Sequence, residues 1–177
     1  ASGSSLNFDL VGSGFEIKNG TLSGQGTLGG QSNWSGGTIG SQGTEITNTG
    51  TLTIAAINSP LLIGTLNNSG TIIHNSLGSG GANRLNLQNG TLNNLEGGLY
   101  HLQAGSIFNA PFNDANVFIN SGTLRKSTTS TTTVAIDFNN SGGTIDAQAG
   151  TLNLTDGGTS TGGLYVVAAD AVVEYAG

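Results

Sequence analysis

The stretch from Phe138 to Gly158, FNNSGGTIDAQAGTLNLTDGG, decides the fold. Its apolar residues stand singly: Ile145, then Leu152 and Leu154, each set off by Gly, Thr, Asn or Asp. Two-residue alternation is the pattern of a strand with one buried face, because successive side chains point to opposite sides. A helix is excluded, since Gly costs about 1 kcal/mol against Ala in a helix interior and Thr, Asn and Ser are also poor there.

Outward from this stretch the same phrase returns. NTGTL places Gly50, NSGTI places Gly70 and QNGTL places Gly90, in steps of 20 residues; NSGTL at Gly122 and NSGGTI at Gly143 are 21 apart. A fixed period near twenty is the mark of a solenoid. Alternation recurs at Leu85 and Leu87, at Val117 and Ile119, and through Val134, Ile136 and Phe138. Several short strands per unit predict an all-β, single-stranded parallel β-helix of about 20 residues per coil. Stacked at roughly 4.8 Å per layer, the chain makes eight to nine coils and a rod roughly 40 Å long. Leu, Ile, Val and Phe fill the interior in columns. The recurring Gly serves corners that need a positive φ or close backbone approach. The Asn before each Gly is placed to stack its amide on the Asn of the next coil, as amide ladders do in cross-β structure.

Residues 1–177 read as one continuous solenoid with an irregular or looped region at about 93–118. The step from Gly90 to Gly122 is 32 residues, with one degenerate unit, Gly105-Ser106-Ile107, inside it. One loop is expected around Pro111 and another over Leu77–Arg84, where insertions leave a stack intact.

Composition narrows the function classes. Gly, Ser, Thr and Asn make up about half of the chain and charged residues only 8%, yet apolar positions recur to its last line, which separates it from a disordered chain. Cys is absent, so disulfides, thiolate metal sites and cysteine nucleophiles are excluded. The net charge is −6, with Lys18, Arg84, Arg125 and Lys126 as the cations. That balance argues against nucleic acid, which needs a basic face to displace counterions. No apolar run reaches the length of a membrane span, so membrane insertion is not expected.

The segment Ile119–Gly177 carries the phrases NSGTLRKS, DFNNSGGTI and AGTLNLTDGGTSTGG, followed by LYVVAADAVVEYAG. It resembles a repeat module of very large secreted bacterial surface proteins. The earlier GTLNNSGTI, Gly64–Ile72, is similar to repeats of filamentous-haemagglutinin-type adhesins. The resemblance implies a right-handed parallel β-helix within an adhesin, autotransporter passenger or surface fibre, secreted and displayed at the cell surface. It supplies no catalytic residue.

Parallel β-helices also carry sugar-cleaving sites, which need acids gathered on one face. Asp137, Asp146 and Asp156 are the densest set, and Asp137 and Asp156, 19 apart, are placed to stack on one edge as a sugar-hydrolysing pair or a weak Ca²⁺ site. The competing reading is solvated turn acids. His74 and His101 are 27 apart, a coil plus a loop, but lack Ser-His-Asp or metal-ligand spacing. Trp34 and Tyr100 are candidate sugar-stacking rings, with Arg125 and Lys126 as partners for an acidic glycan. The alternatives are corner aromatics and solvated charge. In STTSTTTVAIDF, alternation puts Thr132, Val134, Ile136 and Phe138 inside; a single threonine run is weak support for ice binding. The six Asn-x-Ser/Thr sequons, at Asn19, Asn33, Asn67, Asn89, Asn139 and Asn153, follow from the repeat phrase itself.

The sequence therefore reads as a structural or adhesive rod, with a glycan-acting β-helix as the alternative; no catalytic set, cofactor or metal is expected. The expected partners are further copies or neighbouring repeats joined end to end, since Gly163–Gly177 is strongly apolar and Phe8, Leu10, Phe15 and Ile17 already alternate as strand residues. Host or matrix glycans are the other candidate partner.

Overall fold

The computed structural model describes residues 7–75, 84–109 and 115–176. Every regular element among them is a strand, and every strand pair is parallel. The first stack contains β1 (Asn7–Leu10), β4 (Gln25–Leu28), β6 (Glu45–Asn48) and the end of β7 (Thr51–Asn68). It continues through the end of β9 (Arg84–Asn94), β12 (Val117–Asn120), β15 (Asp137–Ser141) and β18 (Gly158–Thr161). The second runs through β2 (Ser13–Ile17), the start of β5 (Gln31–Ile39), the start of β7 and β8 (Thr71–His74). It goes on to β10 (Leu99–Leu102), β13 (Thr123–Lys126), β16 (Thr144–Ala147) and β19 (Leu164–Val167). The third joins β3 (Thr21–Leu22), the end of β5, the middle of β7 and the start of β9 to β11 (Ser106–Asn109), β14 (Thr131–Ala135), β17 (Gly150–Leu154) and β20 (Ala171–Tyr175). The chain visits the three stacks in turn, giving a β-solenoid of about 8 turns.

Register shows the repeat directly: Thr51 pairs with Thr71 and Leu52 with Ile72. The expected loops at Leu77–Arg84 and around Pro111 fall mainly outside the described residues. Between them the stack continues without a break, and the degenerate Gly105-Ser106-Ile107 unit leads into strand β11.

The corner between the first and second stacks explains the N-x-G phrase at Gly50, Gly70 and Gly122, whereas Gly90, the third member of the twenty-residue series, pairs with Gly64 at another corner and Gly98 stands in its place after Gly70. Gly50, Gly70, Gly98 and Gly122 follow one another along it, and a Cβ added at Gly122 would overlap the carbonyl oxygen of Gly98, as one at Gly70 would overlap that of Gly50. Those carbonyls accept from the next coil: Thr71 N–H donates to Gly50 and Thr123 N–H to Gly98, at 2.8 and 2.9 Å. Close approach, not a positive φ, makes Gly necessary here.

Just inside this corner lies the amide ladder. Asn48 Nδ2 donates to Asn68 Oδ1 at 2.7 Å, Asn68 to Asn94 at 2.7 Å, Asn94 to Asn120 at 2.8 Å and Asn120 to Asn140 at 2.8 Å. The second amide hydrogens serve backbone carbonyls, as in Asn94 Nδ2 to Thr123 O at 3.1 Å. Its register neighbours at the two ends are Leu28 and Ser160, so the ladder stops there, and Asn48 Oδ1 is left buried without a donor.

The lumen beside the ladder is lined mainly by apolar side chains. One inward column reads Phe8, Gly26, Ile46, Leu66, Leu92, Phe118, Phe138, Gly158. Tyr100, Phe118 and Phe138 form a continuous aromatic contact, with ring centroids 5.1 and 5.3 Å apart, tilted and then edge-to-face.

Candidate functional site

The four proposed glycan contacts separate into three inside and one outside. Trp34 and Tyr100 are fully buried, in inward columns of the second stack with Ile54 and Ile72 as neighbours. A ring with no exposed face has no surface to offer a sugar, so both belong to the core. Lys126, expected as solvated charge, is also fully buried, in the column that contains Leu102 and Ala147. Its ammonium donates to the Thr128 carbonyl, to Thr128 Oγ1 at 2.8 Å and to the Ala149 carbonyl at 3.3 Å. Burial lowers its pKa from the ordinary lysine value. It closes a corner between two coils and presents nothing outward.

His74 and His101 point to opposite sides of the same stack. His74 is register partner of inward Leu102, and His101 of outward Ile73. His74 is fully buried and its Nδ1 lies 3.1 Å from the Tyr100 hydroxyl, while Nε2 has no partner. Removal from water pushes its pKa down to about 4, so the ring is neutral at pH 7. Burial raises the pKa of the Tyr100 hydroxyl, which stays protonated. The pair fills the lumen and touches no solvent.

Chemistry-bearing groups meet on the outer side of the second stack. His101, Arg125 and Asp146 are successive register partners in one outward column. Arg125 Nε donates to Asp146 Oδ2 at 2.8 Å, and Gln148 donates to the same oxygen at 3.0 Å. His101 Nε2 lies 2.7 Å from Ser127 Oγ. Partial burial lowers the His101 pKa, the Arg125 cation lowers it further, and Asp146 opposes both. A neutral imidazole beside a hydroxyl is half of a nucleophile–base arrangement. Asp146, the carboxylate of the same column, is committed to Arg125 and Gln148 and does not orient the ring. Chemically the patch offers mutually neutralised charge on a flat sheet.

The carboxylates do not converge either. Asp137 is exposed on β15 with Val117 as its register neighbour, and Phe138 pairs with Gly158, so Asp156 lies beyond that register in the corner between β17 and β18. Asp146 sits on another stack. No group of three or more His, Asp or Glu is placed to hold a metal ion among the described residues.

One feature was missed in the sequence, and a second, the strongly apolar segment Gly163–Gly177, was legible in it. A shallow groove of about 380 Å³ crosses the second stack at its first coils, lined by Glu16, Gln31, Asn33, Thr51 and Thr53 among others. It opens where β2 carries a bulge between Ser13 and Phe15, an irregularity for which Gly14 is the one visible signal. The second is the last coil. Tyr165 and Val167 hold inward columns, in register with Ile145 and Ala147, but stay 38% and 46% exposed. Comparison with protein-family models, with curated proteins and with solved structures returns no match for this chain.

Proposed function

We propose that this chain is a rigid, non-catalytic rod segment of an extracellular bacterial surface protein, of filamentous-haemagglutinin-like or autotransporter-passenger type, which adds length to an adhesive stalk or fibre. The observation that carries the reading is the amide ladder. It joins five successive coils by side-chain hydrogen bonds parallel to the rod axis, in a sequence whose groups are spent on coil-to-coil contacts. A buried ladder in which each amide is bonded to the next resists bending and axial slip, because any shear between coils leaves amides unpaired in a low dielectric. The outward surface supports the same reading, since its Arg125–Asp146 pair is self-neutralised and its acids are dispersed.

The reading is tested in two ways. Antibodies against this chain should label intact cells of the organism that makes it, and external protease should remove the label; a signal confined to disrupted cells would sink the reading. Deletion of Thr51–Gly70, one register step, should give a folded rod about 5 Å shorter by small-angle scattering. Incubation with pectins, alginates and bacterial polysaccharides should release no reducing ends above background, and turnover abolished by Asp137→Asn would overturn the non-catalytic part.

A further inference from the structure

Each of the two histidines faces a hydroxyl. His74 Nδ1 lies 3.1 Å from the Tyr100 oxygen in the lumen, where both rings are fully buried. His101 Nε2 lies 2.7 Å from Ser127 Oγ, and both residues are half-buried on the outer side of the rod. The first pair is sealed from any reagent. The second is open to solvent.

Strand β10 carries His101, and β13 ends just before Ser127. The two strands are adjacent layers in continuous register: His101 pairs with Arg125, and the next pair, Leu102 with Lys126, leads straight into Ser127. Ser127 N–H donates to the Leu102 carbonyl at 3.3 Å, which holds the serine beside the ring. Strands β8 and β16 pair with β10 and β13 from either side. The approach of ring and hydroxyl is therefore set by stacked strands in the interior of the rod.

The surroundings leave the ring free to accept. Ile73 faces it from β8 and Arg125 from β13, with Asp146 beyond on β16. Ile73 offers no hydrogen bond, and the Asp146 carboxylate is held by Arg125 and Gln148. Partial burial opposes a second proton on the imidazole, and the Arg125 cation opposes it further. A neutral ring with its proton on Nδ1 presents the Nε2 lone pair to the serine O–H. In that geometry a base removes a hydroxyl proton as the oxygen attacks.

The hydroxyls next along the chain lack such a partner. Thr128 Oγ1 accepts from the Lys126 ammonium at 2.8 Å and lies 3.3 Å from Ser130 Oγ. The stretch Ser127–Ser130 thus places a hydroxyl with a base beside hydroxyls without one, an internal control within a single peptide.

We propose that Ser127 is a covalent acyl-acceptor site, modified by carboxylic esters or thioesters that carry a good leaving group, with His101 as its base. The inference goes beyond the rod function proposed above. Ser127 Oγ forms a bond to the acyl carbon, its proton passes to His101 Nε2, and the bond to the leaving alkoxide or thiolate breaks. The leaving group takes that proton from the imidazolium, so the ring returns neutral and the serine keeps the acyl group as an ester. The site supports a single transfer per chain, because repeated turnover needs a ring oriented by a third group, which Asp146 does not supply.

The test uses p-nitrophenyl acetate with the full chain at neutral pH, followed by digestion and mass spectrometry. Acetylation at Ser127 should exceed that at Thr128, Thr129 or Ser130 by roughly tenfold or more, and His101→Gln should lower it by a similar factor. Ser127→Ala should remove the label from this stretch, with circular dichroism checking that both variants keep the β-solenoid. The unaltered chain gives a readout that needs no variant. Its labelling should fall on acidification through a pKa below the ordinary histidine value of 6.5, as the ring takes up a proton and loses its lone pair. Label spread evenly over Ser127–Ser130 or confined to the Lys18 amine would overturn the inference. So would insensitivity to His101→Gln, a flat profile below neutral pH, or a Ser127 ester that fails to accumulate because nitrophenolate release continues as turnover.

Discussion

The middle of the rod and its last coil are written in the same alternating pattern, yet they have opposite fates. In β12 and β13 the inward residues Phe118, Asn120, Leu124 and Lys126 are all fully buried, including an amide and a cation. In β19, Tyr165 and Val167 hold equivalent positions and remain exposed. A strand in this architecture has no interior of its own. Half of its burial comes from the coil before it and half from the coil after, so stability concentrates where both neighbours exist.

The sharpest way to break this comparison is to remove a ring from each region. Phe118 sits between Tyr100 and Phe138, so Phe118→Ala opens a cavity in the middle of the aromatic run and should cost about 3–5 kcal/mol. Tyr165→Ala should cost under about 1 kcal/mol in dilute monomer. Urea unfolding followed by circular dichroism decides; similar losses at the two sites would refute the two-neighbour account.

Acid tests the middle by another route. His74 has a folded-state pKa of about 4 against 6.5 when unfolded, so below pH 6.5 the unfolded chain takes up the proton first. Its contribution is complete above the unfolded value, is lost as pH falls from 6.5 to about 4, and then levels off. The loss amounts to about 3 kcal/mol by linkage. Carboxylates titrate nearby, so the informative quantity is the difference from His74→Gln, which should flatten that part of the profile. Identical pH profiles for the two proteins would remove His74 from the account.

The amide ladder offers a finer comparison within one column. Asn94 is bonded on both sides, to Asn68 and Asn120, and also serves the Thr123 carbonyl. Asn140 closes the ladder with Asn120 on one side and Gly143 O on the other. Asn94→Ala should cost about 2–3 kcal/mol and Asn140→Ala about 1–2 kcal/mol, with native-state hydrogen exchange accelerated first at the corner of the altered coil. The reverse order would mean that ladder position is irrelevant.

The smallest effect is expected on the outer surface. Arg125 and Asp146 form a partly exposed ion pair, and a double-mutant cycle to Ala should return a coupling below about 1 kcal/mol that shrinks in salt. A coupling above 2 kcal/mol would mark the outward column as something more than a solvated face.

The sequence alone determined the parts that depend on period. Twenty-residue recurrence set the coil and its stacking, and the two-residue alternation of Thr132, Val134, Ile136 and Phe138 named four residues that are indeed inside. The N-x-G phrase foretold both an amide ladder and a tight corner, because those groups are satisfied only by their equivalents one coil away. Parity and neighbourhood belonged to the tertiary structure. Val117 and Ile119 alternate as a buried pair would, yet they face outward and Phe118 and Asn120 face in. Alternation fixes that residues two apart share a face but leaves open which face it is, and a slip of one residue at a corner exchanges inside and outside. For the same reason Trp34, Tyr100, His74 and Lys126, each a plausible surface group by residue type, are core residues in the folded chain. Only the stacked coils decided that, since what buries a side chain here is its counterpart about twenty residues away.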